Sequence, residues 1–351
     1  MKRSTLVAAM LAALSSHAYA QSGVVVYGSF DGGLRHESNI DPAGNGVTTM
    51  SSNGTFRSNR LGFRGSEDIG GGMKVNFVLE AGFDSGTGAL NNSNGVLFQR
   101  EAHVGVSGKF GAIDVGRNYT AAYRTIIAFD PFKYRYPSVT YTLSSTAGTR
   151  KDNDIQYTGR FGNWTARAEY ALGEQPGSSD NGTTKALGLN YASGGLKAGA
   201  VYTMSEQNVG TTANQNYRDF DHYALGASYD FGALTLAIGH VKQEQATATT
   251  RDNTSAWDWF GGSYQITERF DITAAVYRNK AYNTKATGPA AVGDSRKDLY
   301  MVGVTYDLSK RTIFYAELDR THLEGGFATG GNTKLGQTRQ RGMAAGIMHQ
   351  F

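Results

Sequence analysis

Arginine carries the most pointed chemistry in this chain. In NRLGFRG (59–65), Arg60 and Arg64 bracket Leu61, Gly62 and Phe63. Period-two alternation puts both arginines on one face of a strand and both hydrophobes on the other. A guanidinium is permanently charged and offers five N–H donors in a planar fork, so a face carrying several of them attracts anions. A second basic cluster follows at 124–150, where Arg124, Lys133, Arg135 and Arg150 stand against a single acid, Asp130. No comparable constellation points to catalysis. The histidines beyond residue 20 are His36, His103, His222, His240, His322 and His349. None has a Ser or Asp partner in a recognisable catalytic arrangement, and none forms an H-x-x-x-H pair. Asp152-Asn153-Asp154 lacks the continuation of a calcium loop. Glu67 and Asp68 read as polar turn residues. The expectation is therefore no enzyme, no metal and no cofactor.

The N-terminus reads as an export signal. Lys2 and Arg3 precede a short apolar run from Thr5 to Leu14, and Ala18-Tyr19-Ala20 is an A-x-A cleavage pattern. The run is too short for a spanning helix, which needs ~20 apolar residues. Removing residues 1–20 leaves 32 basic and 30 acidic residues, a net charge of +2. That near balance argues against nucleic acid as a partner. The chain has no cysteine, so an exported fold must hold itself without disulfides.

The arginines need elements to position them, and the period is two nearly everywhere. Val75, Phe77, Leu79, Ala81 and Phe83 share one face, with Lys74, Asn76, Glu80 and Gly82 on the other. The same alternation recurs at 187–191, 223–229, 234–238 and 300–306, and no stretch carries a useful helical repeat. Seven short turns recur, DIGGGMK (68–74), SGKFGAI, GRFGNW, YASGGLK, YDFGALT, ITERFDI and YDLSKRTI. Eight longer polar connections lie between them, roughly 37–54, 85–95, 119–149, 174–182, 207–219, 246–254, 282–296 and 323–338. These connections join sixteen strands, and the last, 339–351, can pair with the first, 22–36. All five prolines, Pro42, Pro131, Pro137, Pro176 and Pro289, fall in long connections. A soluble sheet with edges could host proline in its edge strands, so the pattern favours closure. The expected fold is all-β: a 16-stranded antiparallel transmembrane β-barrel forming one domain, 21–351.

Five stretches carry a family likeness: VVVYGSFDGG, SNRLGFRGSEDIGGGMKVNFVLEAGF, VSGKFGAIDVGRNY, YDLSKRTIFYAEL and AAGIMHQF. In this order, over 21–351, they resemble the general diffusion porins of Gram-negative bacteria, especially the β-proteobacterial type. The resemblance implies an outer-membrane homotrimer among lipid and lipopolysaccharide, with an inward-folded third loop, about 119–149, that narrows a water-filled lumen to an eyelet. It implies passage of small hydrophilic solutes and ions. It also makes the terminal Phe351 the signal for the barrel-assembly machinery, outward-facing by alternation with Ile347 and His349.

A barrel gives each face a meaning. Arginine on the lipid face costs ~2–4 kcal/mol near the midplane. Leu61 and Phe63 are therefore expected to face lipid, and Arg60 and Arg64 the lumen. Arg60 lies about nine residues above the 69–72 turn, Arg100 eight above Gly108, Arg150 eleven above Phe161 and Glu80 eight beyond Gly72. At ~3.3 Å per residue and ~45° tilt they share a level roughly 20 Å above the periplasmic rim. Arg60, Arg100 and Arg150 match the arginines that line the eyelet wall in the resembling family. Arg100 has outward parity with Val104 and Val106. It turns inward only with a bulge above Ala102, and otherwise meets a neighbouring subunit. With Lys133, Arg135 and Asp130 on the loop, these residues and Glu80 form the expected constriction. Arg64 belongs to the basic lumen below it. Rings of one charge select the opposite ion, so anions are the expected preference. Arg117 shares the outward parity of Ile113 and Val115 and reads as an interface residue. Tyr119, Tyr123, Tyr134, Tyr136 and Tyr141 read as wall-packing aromatics of the third loop, and Tyr229, Tyr300 and Tyr306 as belt residues. Gly226, Gly239 and Gly303 on inward faces suggest an open interior. The alternatives are a substrate-specific channel and a non-conducting barrel acting as adhesin or structural protein.

Overall fold

The computed structural model describes residues 23–50, 53–91, 95–142, 147–247, 253–282, 294–329 and 336–351. The expected signal segment and residues 143–146 of the third loop lie outside them. The strands are β1 (Val24–Glu37), β2 (Val47–Met50), β3 (Arg60–Gly70), β4 (Met73–Gly82), β5 (Glu101–Gly108) and β6 (Gly111–Tyr119). They continue as β7 (Arg150–Phe161), β8 (Trp164–Ala171), β9 (Thr184–Ser193), β10 (Leu196–Asn208), β11 (Tyr217–Asp230) and β12 (Leu234–Gln245). The last are β13 (Asn253–Thr267), β14 (Phe270–Tyr282), β15 (Ser295–Ser309), β16 (Thr312–Glu324) and β17 (Arg339–Gln350).

Sixteen of them form a closed antiparallel barrel. Neighbours in sequence pair in order from β3 to β17, and β17 returns to β1 from Ser29↔Gln350 to Glu37↔Gly342. The lower half of β1 pairs with β3, Val24↔Gly65 to Ser29↔Arg60. Its upper end pairs with the extra strand β2, Leu34↔Met50 to Glu37↔Val47, which covers an edge that β3 has already left. The seven short turns are two or three residues long. Gly70, Gly71 and Gly72 take the first at φ +83°, +64° and +76°, a left-handed run that side chains rarely adopt.

The faces are the reverse of those in a soluble protein. Leu61, Val104, Val115, Leu187, Leu225, Ile238, Phe260, Val302 and Ile347 are exposed on the outer wall, where they meet lipid or a partner. Tyr229, Tyr300 and Tyr306 are exposed there too. The inward positions hold Asp31, Arg35, Glu80, Asp154, Glu169, His222 and Glu317, all buried.

The third loop covers part of this inner face. It leaves the wall early, because β6 has only nine residues. Thr120 caps helix α1 (Ala121–Ile126), its hydroxyl accepting from Tyr123 N at 3.1 Å. The Ala121 N–H donates to the Glu169 carboxylate of β8 at 2.5 Å. Helix α1 then lies along β8 to β11. Helix α2 (Pro137–Thr142) lies against β14 and β15, with proline at its first position. Between them Phe129 stacks on Trp259 at 5.9 Å, and the Trp259 indole donates to Phe129 O at 3.0 Å. Gly226, Gly239 and Gly303, expected to mark an open interior, instead face rings. A Cβ at Gly226 would stand 2.2 Å from the Phe129 ring, and one at Gly303 would stand 3.0 Å from Phe132. A Cβ at Gly239 would meet Trp259 at 2.0 Å. These glycines make room for the packing that seats the loop. The apolar core of this barrel is the contact between its third loop and half of its own wall.

Candidate functional site

The opposite half of the wall, from β1 through β3 to β7, carries the arginines, and helix α1 reaches it through Tyr123, stacked on Tyr119, and Arg124, 3.4 Å from Glu101. Four guanidiniums gather there. Arg60 opens β3, Arg150 opens β7, Arg100 immediately precedes β5, and Arg57 lies in the segment before β3. Glu80 of β4 sits among them at 2 % exposure. Its carboxylate accepts from Arg100 Nε at 2.5 Å and from the Tyr27 hydroxyl at 3.1 Å, and lies 3.7 Å from Arg60. The Tyr119 phenol oxygen accepts from Arg100 at 2.7 Å and from Arg150 at 2.6 Å. Arg150 also lies 4.2 Å above the Tyr119 ring.

The open question about Arg100 is answered by the register. Glu80 pairs with Glu101, while the Arg100 N–H donates to Glu80 O at 3.1 Å. Two residues thus oppose one, as in a bulge, and both can turn inward. Arg100 points to the lumen at 5 % exposure. Glu101 faces the same way, 3.4 Å from Arg124.

Arg57 is a member of the cluster that strand parity does not reveal. It lies in a non-strand segment held by Asp31 of β1, whose carboxylate accepts from the backbone N–H of Phe56 at 2.6 Å and of Arg57 at 2.7 Å. Tyr315 OH donates to the same carboxylate at 2.5 Å. Burial, reinforced by Arg60 and Arg135, pushes the Arg57 guanidinium down to about 10. Its only signal in the sequence is its place three residues before Arg60.

The loop residues divide. Asp130, expected at the constriction, is buried at 3 % exposure. Its carboxylate accepts from Tyr277 OH at 2.5 Å, Tyr134 N at 2.6 Å and Phe132 N at 3.4 Å. Burial raises its carboxyl above the usual range. It is a tether from loop to wall, and no carboxylate of the eyelet. Lys133 and Arg135 lie on the side of the loop that faces the short turns, with Arg135 5.0 Å over the Phe56 ring. Burial lowers both, and Lys133 is lowered further by Arg135 and Lys197. Tyr136 packs as expected, 5.0 Å from Phe56, and its N–H donates to Phe56 O at 2.9 Å. Tyr123 stacks on Tyr119 at 4.7 Å and touches Tyr134 at 5.0 Å. The side chain of Tyr141 lies outside the described residues. Arg64 is exposed below Arg60, 5.1 Å over the Tyr27 ring. Phe351 exchanges backbone hydrogen bonds with Gly28 at 3.1 and 3.2 Å, and its ring covers Gly28 on the outer face.

A closed sixteen-stranded barrel with an apolar outside, an in-folded third loop and a charged lumen defines an outer-membrane channel protein. The chain belongs to the Gram-negative porin family, whose match covers residues 7–326. It is similar to an outer membrane porin protein of Bordetella pertussis, 28 % identical over 90 % of this chain and 93 % of the relative. It is 29 % identical to outer membrane porin protein 32 of Delftia acidovorans over the full length of both. Among solved structures it resembles an anion-selective porin from Comamonas acidovorans, with a TM-score of 0.78 and 25 % identity over 94 % of this chain and all of the other. The protein is an integral outer-membrane porin, and family and fold point to a channel rather than an enzyme.

Proposed function

We propose that this porin conducts small hydrophilic solutes and ions by passive diffusion, and that it prefers anions. The observation that carries the preference is the imbalance at the arginine wall. Arg57, Arg60, Arg100 and Arg150 gather on one side of the lumen, and of these Arg60 and Arg100 face the Glu80 carboxylate. Asp31, Asp154, Glu169 and Glu317, also inward, are each 5 % exposed or less, and Glu101 stands 3.4 Å from Arg124. Lys133, Arg135 and Arg64 extend the positive field toward the periplasmic exit. The likeness to a structure described as anion-selective supports the same reading.

The partners follow from the outer face. Arg117 donates to Asp152 on that face at 2.5 Å, amid Ile113 and Val115. It stands seven residues above the turn at 109–110, roughly 16 Å up the wall. Arginine at that depth is costly against lipid, so a sister subunit covering it favours the homotrimer. The rest of the outer wall meets lipid and lipopolysaccharide, and the last strand with Phe351 is read by the barrel-assembly machinery. Purified protein in a planar bilayer should conduct potassium chloride in steps, and loaded liposomes should swell in small sugars. A protein that assembles but neither conducts nor admits sugars would contradict the channel reading and favour an adhesin or structural barrel.

A further inference from the structure

Beneath the third loop the wall carries two rows of polar side chains. Thr235, Ser263, Thr273 and Gly303 are successive register partners across β12 to β15. Gln265, Asp271 and Thr305 form the next row toward the short turns. Phe132 and Tyr136 seat against Gly303, 3.0 and 3.2 Å from where its Cβ would be. Lys133 and Arg135, alternating with those rings, line the space below. The backbone is left-handed at Lys133 and Tyr134, φ +53° and +54°. Non-glycine residues hold that conformation only where neighbours enforce it. Here the buried Asp130 and Phe132 do so, which fixes how the two cations are displayed. The resulting cavity has a volume of about 260 Å³.

Its charges are arranged in opposition but not joined. Asp271 feels Lys133 and Arg135 across the cavity, and Arg135 also feels Asp307. Among the described residues no ion pair closes between the two cations and Asp271. The remaining acid of the lining, Asp230, already accepts from Gly232 N at 2.8 Å in its turn. A simple anion would satisfy the cations but leave Asp271 facing its own sign. A simple cation would meet Lys133 and Arg135. A molecule with both charges satisfies both walls, and the Thr and Ser hydroxyls and Gln265 offer further hydrogen bonds. The volume is below the range for drug-sized ligands and suits a molecule of amino-acid size.

We propose that this cavity is a station for a small zwitterion of the amino-acid class, with its carboxylate on Lys133 and Arg135 and its ammonium on Asp271. The proposal rests on the channel reading above and names a solute for its periplasmic side. The test uses the trimer in planar bilayers, with serine as the zwitterion and lactate as a plain carboxylate. Wild type should show serine-dependent excess current noise that saturates. Asp271→Asn should raise the half-saturating serine concentration about tenfold, the scale of one lost charged hydrogen bond, and leave the lactate effect within about twofold. The loop double variant K133Q/R135Q should weaken both solutes. Asp271 lies on the wall, so D271N decides the matter even if the loop variant fails to assemble. A wild type that conducts salt yet shows no saturable serine noise overturns the station alone. So does a D271N protein that binds serine as wild type does. A wild type that does not conduct overturns station and channel together.

Discussion

The two halves of the barrel interior are built from opposite materials. On β3 to β7 the inward face gathers arginines beside Glu80, and Arg100 and Arg150 share Tyr119 as acceptor. On β8 to β16 it includes glycines, Trp259, Tyr277 and Tyr315, packed against Phe129, Phe132 and Tyr136 of the loop. One strand pattern thus serves two purposes. Where the wall is to meet ions, it places charge at a common height. Where it must hold a loop in water, it supplies an apolar seat and removes side chains that would obstruct it. Two buried carboxylates tie lumenal segments to the wall in the same way. Asp31 binds two backbone amides of the segment before β3 and Tyr315, and Asp130 binds two backbone amides of the third loop and Tyr277. Each fixes a lumenal segment to the wall by satisfying a buried charge.

This contrast can be broken by substitutions on either side. The largest effect is expected for Phe129→Ala, which empties the seat at Gly226 and costs ~3–5 kcal/mol of packing. The loop should loosen, so conductance should rise and become noisy, while ion preference falls. Unchanged single-channel traces would mean that the seat does not hold the loop. Next comes Glu80→Gln. It leaves Arg60 and Arg100 unneutralised, so anion preference should strengthen in a salt gradient. The lost charged hydrogen bonds should lower stability by ~1.5–3 kcal/mol in a heat-modifiability assay. A smaller effect, about 1 kcal/mol, is expected for Tyr277→Phe, which removes one of three donors to Asp130. It should raise open-channel noise without moving the reversal potential. The smallest is expected for Arg64→Gln, below the cluster and exposed: a modest loss of conductance with selectivity nearly intact, read from the same gradient.

The arginine half was the more legible in the sequence. Alternation around Leu61 and Phe63 fixes the face of Arg60 and Arg64, because the reverse choice puts arginine in lipid. Distance from the short turns fixes the level of Arg60, Glu80 and Arg150. Parity fails where the chain leaves ladder geometry. Arg100 and Glu101 both oppose Glu80, and Arg57 lies in a segment whose course depends on a carboxylate 26 residues away. The loop half was less legible, because period two says which way Gly226 and Gly303 face but not what arrives there. Asp130 shows the same limit. As the lone acid of a basic loop it reads as an ion-path residue, and only the position of Tyr277 makes it a tether. Tyr119 was legible as an aromatic, but its service as acceptor to two arginines depends on β6 ending at that height.

On the proposed reading, uncompensated arginines on one half of the wall set the ion preference. The most direct measurement is the reversal potential of the wild-type trimer and of the double variant R60Q/R150Q in a tenfold potassium chloride gradient. The wild-type potential should be displaced toward the chloride equilibrium value, and the variant potential should lie close to zero. A wild-type potential on the potassium side, or one that the double variant leaves unmoved, would contradict it.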